Sequence, residues 1–177
     1  MSFATSHGAL RTLASAAALA VSLLAAPVFA DDDAPEAEPL AWSALIPEGW
    51  APQAPDMTGF FGGHSGGPAA QASVDVPVVD SLDGKRVTLE GWLVPLEIER
   101  AERYHEFLLV PYFGACYHVP PPPPNQTVHL FVEDGVAHEL LWEPQSITGR
   151  MQIDRLETAL ATAAYRIEDA TATVAEW

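Results

Sequence analysis

The most chemically specific stretch of this chain is Pro111 to Pro124, reading PYFGACYHVPPPPP, which holds the sole cysteine, Cys116, and a histidine two positions on, His118. A thiolate and an imidazole are donors that suit zinc or copper. Proline pushes the residue ahead of it out of the helical region, so the segment is expected to be extended, with both side chains on one face. Two ligands do not complete a site. His129 is the expected third, with His105, His138 and Glu97 as other candidates. The same pair could act as nucleophile and base, but side chains lying parallel on one strand face are awkwardly placed to hydrogen-bond each other. A small buried thiol beside a histidine bonded to a backbone carbonyl would account for both residues with no chemistry at all.

Five consecutive prolines, Pro120 to Pro124, predict a polyproline II rod about 15 Å long, at roughly 3.1 Å per residue. Such a rod is ordered in advance, and a partner docking on it loses little conformational entropy. Tyr112, Phe113 and Tyr117 flank it and Asn125 and Gln126 close it. The expected partner-binding surface is therefore Tyr112, Phe113, Tyr117, Pro120, Pro121, Pro122, Pro123, Pro124, Asn125 and Gln126. The same prolines could instead be a stiff connector between two strands, tied down by the Asn125 and Gln126 amides. No Gly-x-Ser-x-Gly, His-Glu-x-x-His, Cys-x-x-Cys or phosphate-cradling glycine loop accompanies them. No catalytic residues are assigned, and the chain is read as non-enzymatic.

The elements that must position this loop are mostly strands. Val87 to Val94 alternates with a two-residue period and has Gly91 where a bend would fall; His105 to Phe113 is almost continuously apolar, as for a strand buried on both faces. Thr127 to Glu133 gives a third strand, ended by a tight-turn signal at Asp134-Gly135. Pro144 to Ile153, with Gly149 as a second bend, and Tyr165 to Val174 give the fourth and fifth. Between these last two, Asp154 with Glu157 three residues on, and the Leu156 and Leu160 stripe, predict one short helix. Five short, glycine-bent strands point to a mainly β fold: a small five-stranded OB-like barrel with one short helix, preceded by an irregular N-terminal segment.

Residues 1–30 combine Arg11, an apolar run from Leu13 to Ala26 and a Val28-Phe29-Ala30 ending, the pattern of a secretory signal peptide cleaved after Ala30. The run is shorter than the roughly 20 residues a membrane-spanning helix needs. Residues 31–41 are acidic and proline-spaced, composing a disordered linker. Residues 42–73 form an irregular strap with a glycine-rich loop that includes Phe60, Phe61 and His64, and 74–177 the barrel domain. Export places Cys116 in an oxidising compartment, the periplasm, without an intramolecular partner. The chain carries 24 Asp and Glu against 8 Lys and Arg, a formal net charge of −16. That balance excludes a phosphate-backbone ligand, which needs a basic patch, and disfavours an anionic membrane surface.

The strings GKRVTLEGWLVPLE and EFLLVPYFGACYHVPPPPPNQTVHLFV, within Gly84 to Val132, resemble a proteobacterial exported family catalogued as domain of unknown function 3299. The resemblance implies an exported OB-like barrel often encoded beside envelope transport systems, so the expected partner is a protein of the cell envelope such as an ABC-type transport system or an assembly complex. It implies no reaction. Trp92, Tyr117 and the Gln145-Ser146-Ile147 strand start depart from the residues expected of that family. The resulting expectation is a periplasmic binding or adaptor domain working through the Cys116 to Pro124 loop. The alternative is a zinc- or copper-binding accessory protein using Cys116, His118 and His129.

Overall fold

The computed structural model describes residues 36–51, 71, 75–97 and 101–176. The expected signal peptide, residues 31–35 of the acidic linker and the glycine-rich loop with Phe60, Phe61 and His64 lie outside the described residues. Six strands form one sheet: β1 (Glu38–Leu40), β2 (Arg86–Pro95), β3 (Arg103–Val110), β4 (Val128–Ala137), β5 (Gln145–Glu157) and β6 (Thr162–Val174). Their order is β1-β2-β3-β4-β6-β5, and β5 pairs back onto β2, which closes five of them into a barrel. β4 and β6 run parallel while the other pairs within the barrel are antiparallel. This is the OB-like barrel expected from the sequence, plus one extra strand.

Closure depends on β2 serving two neighbours. Arg86 to Gly91 pairs with β5, and Trp92 to Pro95 pairs with β3. The switch falls at Gly91, where a Cβ would lie 2.6 Å from the Val110 carbonyl oxygen, so no larger residue fits without moving backbone. Gly149 has the same function in β5: a Cβ there would meet the Ile167 side chain at 2.4 Å and the Glu168 carbonyl at 2.5 Å, and the β5–β6 register shifts between Thr148 and Arg150. Both glycines were legible as bends. β1, which falls in the segment expected to be linker, runs parallel to β2 along Val87 to Leu89, where β3 does not reach.

The expected helix at 154–164 is absent. β5 continues through Glu157, β6 begins at Thr162, and the two meet in a tight hairpin with Leu156 opposite Ala163. Thr158 organises that turn, its hydroxyl accepting from the Leu160 and Ala161 N–H groups and donating to the Ala161 carbonyl. Asp154 does not cap anything helical; it pairs with Arg166 across the hairpin at 3.1 Å. Long-range strand pairing overrides the local helical propensity of the alanines. The helical elements of the described residues are short 3₁₀ turns at Trp42–Leu45, Asp80–Leu82, Pro124–Gln126 and His138–Trp142.

Asp134-Gly135 does not end β4 either. β4 carries Val132 to Gly135 as an outward bulge opposite the single β3 residue His105, and Gly135 takes φ +64°. The His105 ring nitrogen Nδ1 bonds to the Val132 and Glu133 carbonyls, each at 3.1 Å, which fixes the bulge.

Inside the barrel, Val87, Leu89, Phe107, Leu109, Leu130, Ile147, Met151 and Tyr165 are fully buried together. The Tyr165 hydroxyl accepts from the Val79 N–H at 2.6 Å and donates to the Leu45 carbonyl at 3.0 Å, so it ties both N-terminal straps to the core. A second, smaller cluster lies outside the barrel wall: Val94, Leu108, Val110, Ala115, Cys116, Ala161 and Ala163. It is the base on which the β3–β4 connection rests.

Candidate functional site

The connection from Pro111 to Thr127 has two structurally different halves. From Gly114 to Val119 the backbone coils into a tight knot, in which the Gly114 carbonyl accepts from the His118 and Val119 N–H groups at 2.8 and 3.2 Å and Cys116 N–H donates to Val119. Gly114 and Cys116 both sit in the left-handed region, at φ +81° and +68°. For Cys116 that is a costly conformation, one a non-glycine residue adopts only when its surroundings impose it. The extended segment expected from the prolines therefore does not form here, and Cys116 and His118 do not share a face. Cys116 is buried in the outer cluster and His118 is exposed.

The second half runs inward. Pro120, Pro121, Pro122 and Pro124 are buried with Asn125 and Gln126, and Pro123 is half-buried. Proline lacks a backbone donor, so the run offers carbonyls, and side chains from elsewhere supply the protons. The Pro122 carbonyl accepts from Gln71 at 2.6 Å, Pro120 from the Tyr112 hydroxyl at 3.1 Å, and Pro123 from the Thr127 hydroxyl at 3.2 Å. Asn125 Nδ2 donates to Pro77 at 3.0 Å and Gln126 Nε2 to Trp42 at 2.9 Å. The proline run is thus the connector, held by the two amides, and not an exposed rod. Of the ten residues expected to meet a partner, Tyr112, Phe113 and Tyr117 are exposed and the rest point into the fold.

Phe113 and Tyr117 belong to a larger aromatic face that also draws on residues distant in sequence. Phe113, Tyr117 and Trp142 are 51%, 59% and 60% exposed, and Leu140 is exposed beside them in sequence. Phe113 meets Trp92 edge-on with ring centroids 4.9 Å apart, and Trp142 on its other side at 6.0 Å. Together with Tyr104, Leu141 and His138 they line a cavity of about 190 Å³. Trp92 is placed there by the outward face of β2, and Trp142 by the 3₁₀ turn His138–Trp142. The apolar Leu140-Leu141-Trp142 run before Pro144 was the available signal, but nothing local says that it stops on the surface.

Burial governs the titratable groups of the knot. It pushes the Cys116 thiol up to about 11, so the sulfur stays protonated at neutral pH. Tyr112 and Tyr117 are raised as well, first by burial and then by their proximity to Cys116. The three residues expected as metal ligands are separated in role: Cys116 packs, His118 is exposed, and His129 Nε2 pairs with Glu106 at 2.9 Å. His105 fixes the β4 bulge, and His138 lines the aromatic cavity with its Nδ1 buried and unbonded. Among the described residues no three His, Cys, Asp or Glu side chains converge on a point that could hold a metal.

The described residues form a closed OB-like barrel whose β3–β4 connection is anchored by buried prolines and carries a crown of exposed aromatic side chains. The chain belongs to the DUF3299 family, described as a protein of unknown function, whose family model matches residues 42–174. It is similar to the crystal structure of a DUF3299 family protein from Pseudomonas aeruginosa PAO1. The two are 40% identical with a TM-score of 0.68, and the match covers 80% of this chain and 99% of that one. No curated protein matches the chain.

Proposed function

We propose that this protein is a non-enzymatic binding or adaptor domain, exported to the periplasm with cleavage after Ala30, that assists an envelope transport or assembly complex through the crown of its β3–β4 connection. One observation carries the reading: large aromatic side chains at Phe113, Tyr117 and Trp142 stay exposed on a backbone whose base is buried and hydrogen-bonded. An exposed cluster of this kind marks an interaction site, and a rigid base lowers the ordering cost of binding. The burial of Cys116 and its raised pKa support a packing role over a nucleophilic one. No described helix is long and apolar enough to cross a membrane.

A photo-crosslinking residue introduced at Phe113 or Tyr117 in cells is expected to capture a defined envelope partner, and one at exposed Val174 is not. Equal capture from all three positions would end the adaptor reading. Sequencing the N-terminus of the periplasmic protein is expected to start at Asp31; recovery only in the cytoplasm with residues 1–30 intact would end the export reading.

A further inference from the structure

The aromatic cavity has a lining that selects among ligands. Three of its rings pack together, with Trp92 and Trp142 inclined to Phe113 by 65° and 50°. Tyr104 and Tyr117 add two more rings. No Asp, Glu, Lys or Arg is among the lining residues, whose polar side chains are those of His118, His138 and the two tyrosines, although the chain as a whole carries a formal charge of −16. Glu139 lies in the 3₁₀ turn that delivers Trp142 and Glu143 directly follows it, both exposed. Aromatic faces attract cations through their quadrupole, most strongly in a desolvated setting, and the surrounding negative field raises the local concentration of cations.

We infer that this cavity is a cage for a quaternary ammonium group, taken from a small organic cation of the choline class. The inference rests on the crown being a binding face, and it names what the face binds. A primary ammonium has three N–H groups, and this lining offers no carboxylate and one buried, unbonded side-chain nitrogen, His138 Nδ1, so charge pairing is absent and N–H groups left without an acceptor are costly. A quaternary head has no N–H and presents methyl groups to the rings, so it keeps the electrostatic attraction without that loss. A neutral apolar group of the same shape gains the contact but not the attraction. The cavity of about 190 Å³ is of a size for one small head group and too small for a folded partner's surface.

The test is a tryptophan-fluorescence titration of the purified protein with choline and with its uncharged isostere 3,3-dimethyl-1-butanol, at low and high salt. Choline is expected to saturate, with the isostere weaker by about tenfold or more. Trp142→Ala is expected to abolish saturation and Trp142→Phe to restore part of it, which separates cage loss from misfolding because Trp142 is 60% exposed. Equal affinity for choline and the isostere would overturn the inference and leave a plain apolar pocket. A lysine peptide that binds as tightly as its trimethyl-lysine counterpart would also overturn it, in favour of a partner's side chain. If choline fails to bind while crosslinking at Phe113 still captures a partner, the cage is refuted and the adaptor reading stands; if both fail, the crown has no binding role.

Discussion

The two halves of the β3–β4 connection are made of opposite materials and put to opposite uses. Residues 120–126, nearly all proline and amide, look like a protein-recognition peptide and are buried; residues 112–119, which contain the thiol and histidine of an apparent reactive site, enclose the thiol and present aromatic rings. The proline run can be buried because its missing donors leave only carbonyls to satisfy, and Gln71, Asn125, Gln126 and Thr127 stand close by with protons to give or chain to anchor. The knot can present its rings because Cys116 and Ala115 plug it into the outer cluster. Composition alone suggests an exposed proline rod as readily as a connector; donor and acceptor accounting explains why the run is buried.

That contrast can be broken from the buried side first. Gln126→Ala removes the donor to the Trp42 carbonyl and is expected to cost about 1–3 kcal/mol in urea unfolding, the price of an unpaired buried carbonyl. Tyr165→Phe, which strips the Val79 N–H and the Leu45 carbonyl of their shared hydroxyl, is expected to fall in the same range of about 1–3 kcal/mol. An intermediate effect is expected at the hinge between the halves. Cys116→Ala should cost about 1 kcal/mol, typical for a small buried truncation, and native Cys116 should resist alkylation until urea unfolds the chain.

The thiol also sets an alkaline limit. Its ordinary value of 9.0 is raised to about 11 in the fold, so the native state holds the proton more tightly than the unfolded state. That contribution to stability is complete below about pH 9 and is lost as pH rises toward about 11. Cys116→Ala should flatten that decline in pH-dependent unfolding; part of it should persist, since Tyr112 and Tyr117 are raised in the same sense. The smallest effect is expected on the exposed side: Phe113→Ser and Tyr117→Ser should each leave unfolding within about 0.5 kcal/mol of the native protein. If they cost as much as Gln126→Ala, the crown is structural and the two halves are not different in kind.

The strands were legible because each carries its own signal: alternation in β2, a continuous apolar run in β3, and glycines at the two points where backbones approach within van der Waals distance. The hairpin at Thr158 was not, since an acid, a glutamate at the right spacing and several alanines describe a helix equally well until Leu156 is known to face Ala163. At the site, Tyr112, Phe113 and Tyr117 stood out because they flank the proline run. Trp92, His138 and Trp142 come from two other elements, β2 and the turn after β4, and only the closed barrel brings them beside Phe113. Gln71 carried no signal of any kind, being one amide in a sequence stretch without periodicity.

The parallel contact between β4 and β6 extends only over Val128 to Leu130 against Tyr165 to Ile167, whereas β5 and β6 zip together along nearly their whole length. The barrel is therefore a ribbon with a short clasp. Folding should make the local β5–β6 ribbon early and the longer-range pairings of β4 with β6 and of β2 with β5 later, since these join residues far apart in the chain. Amide exchange at Val128 to Leu130 should then report opening events that leave the ribbon intact, and Tyr165, which sits in the clasp and holds both straps, should be the residue through which those events loosen the N-terminal segment.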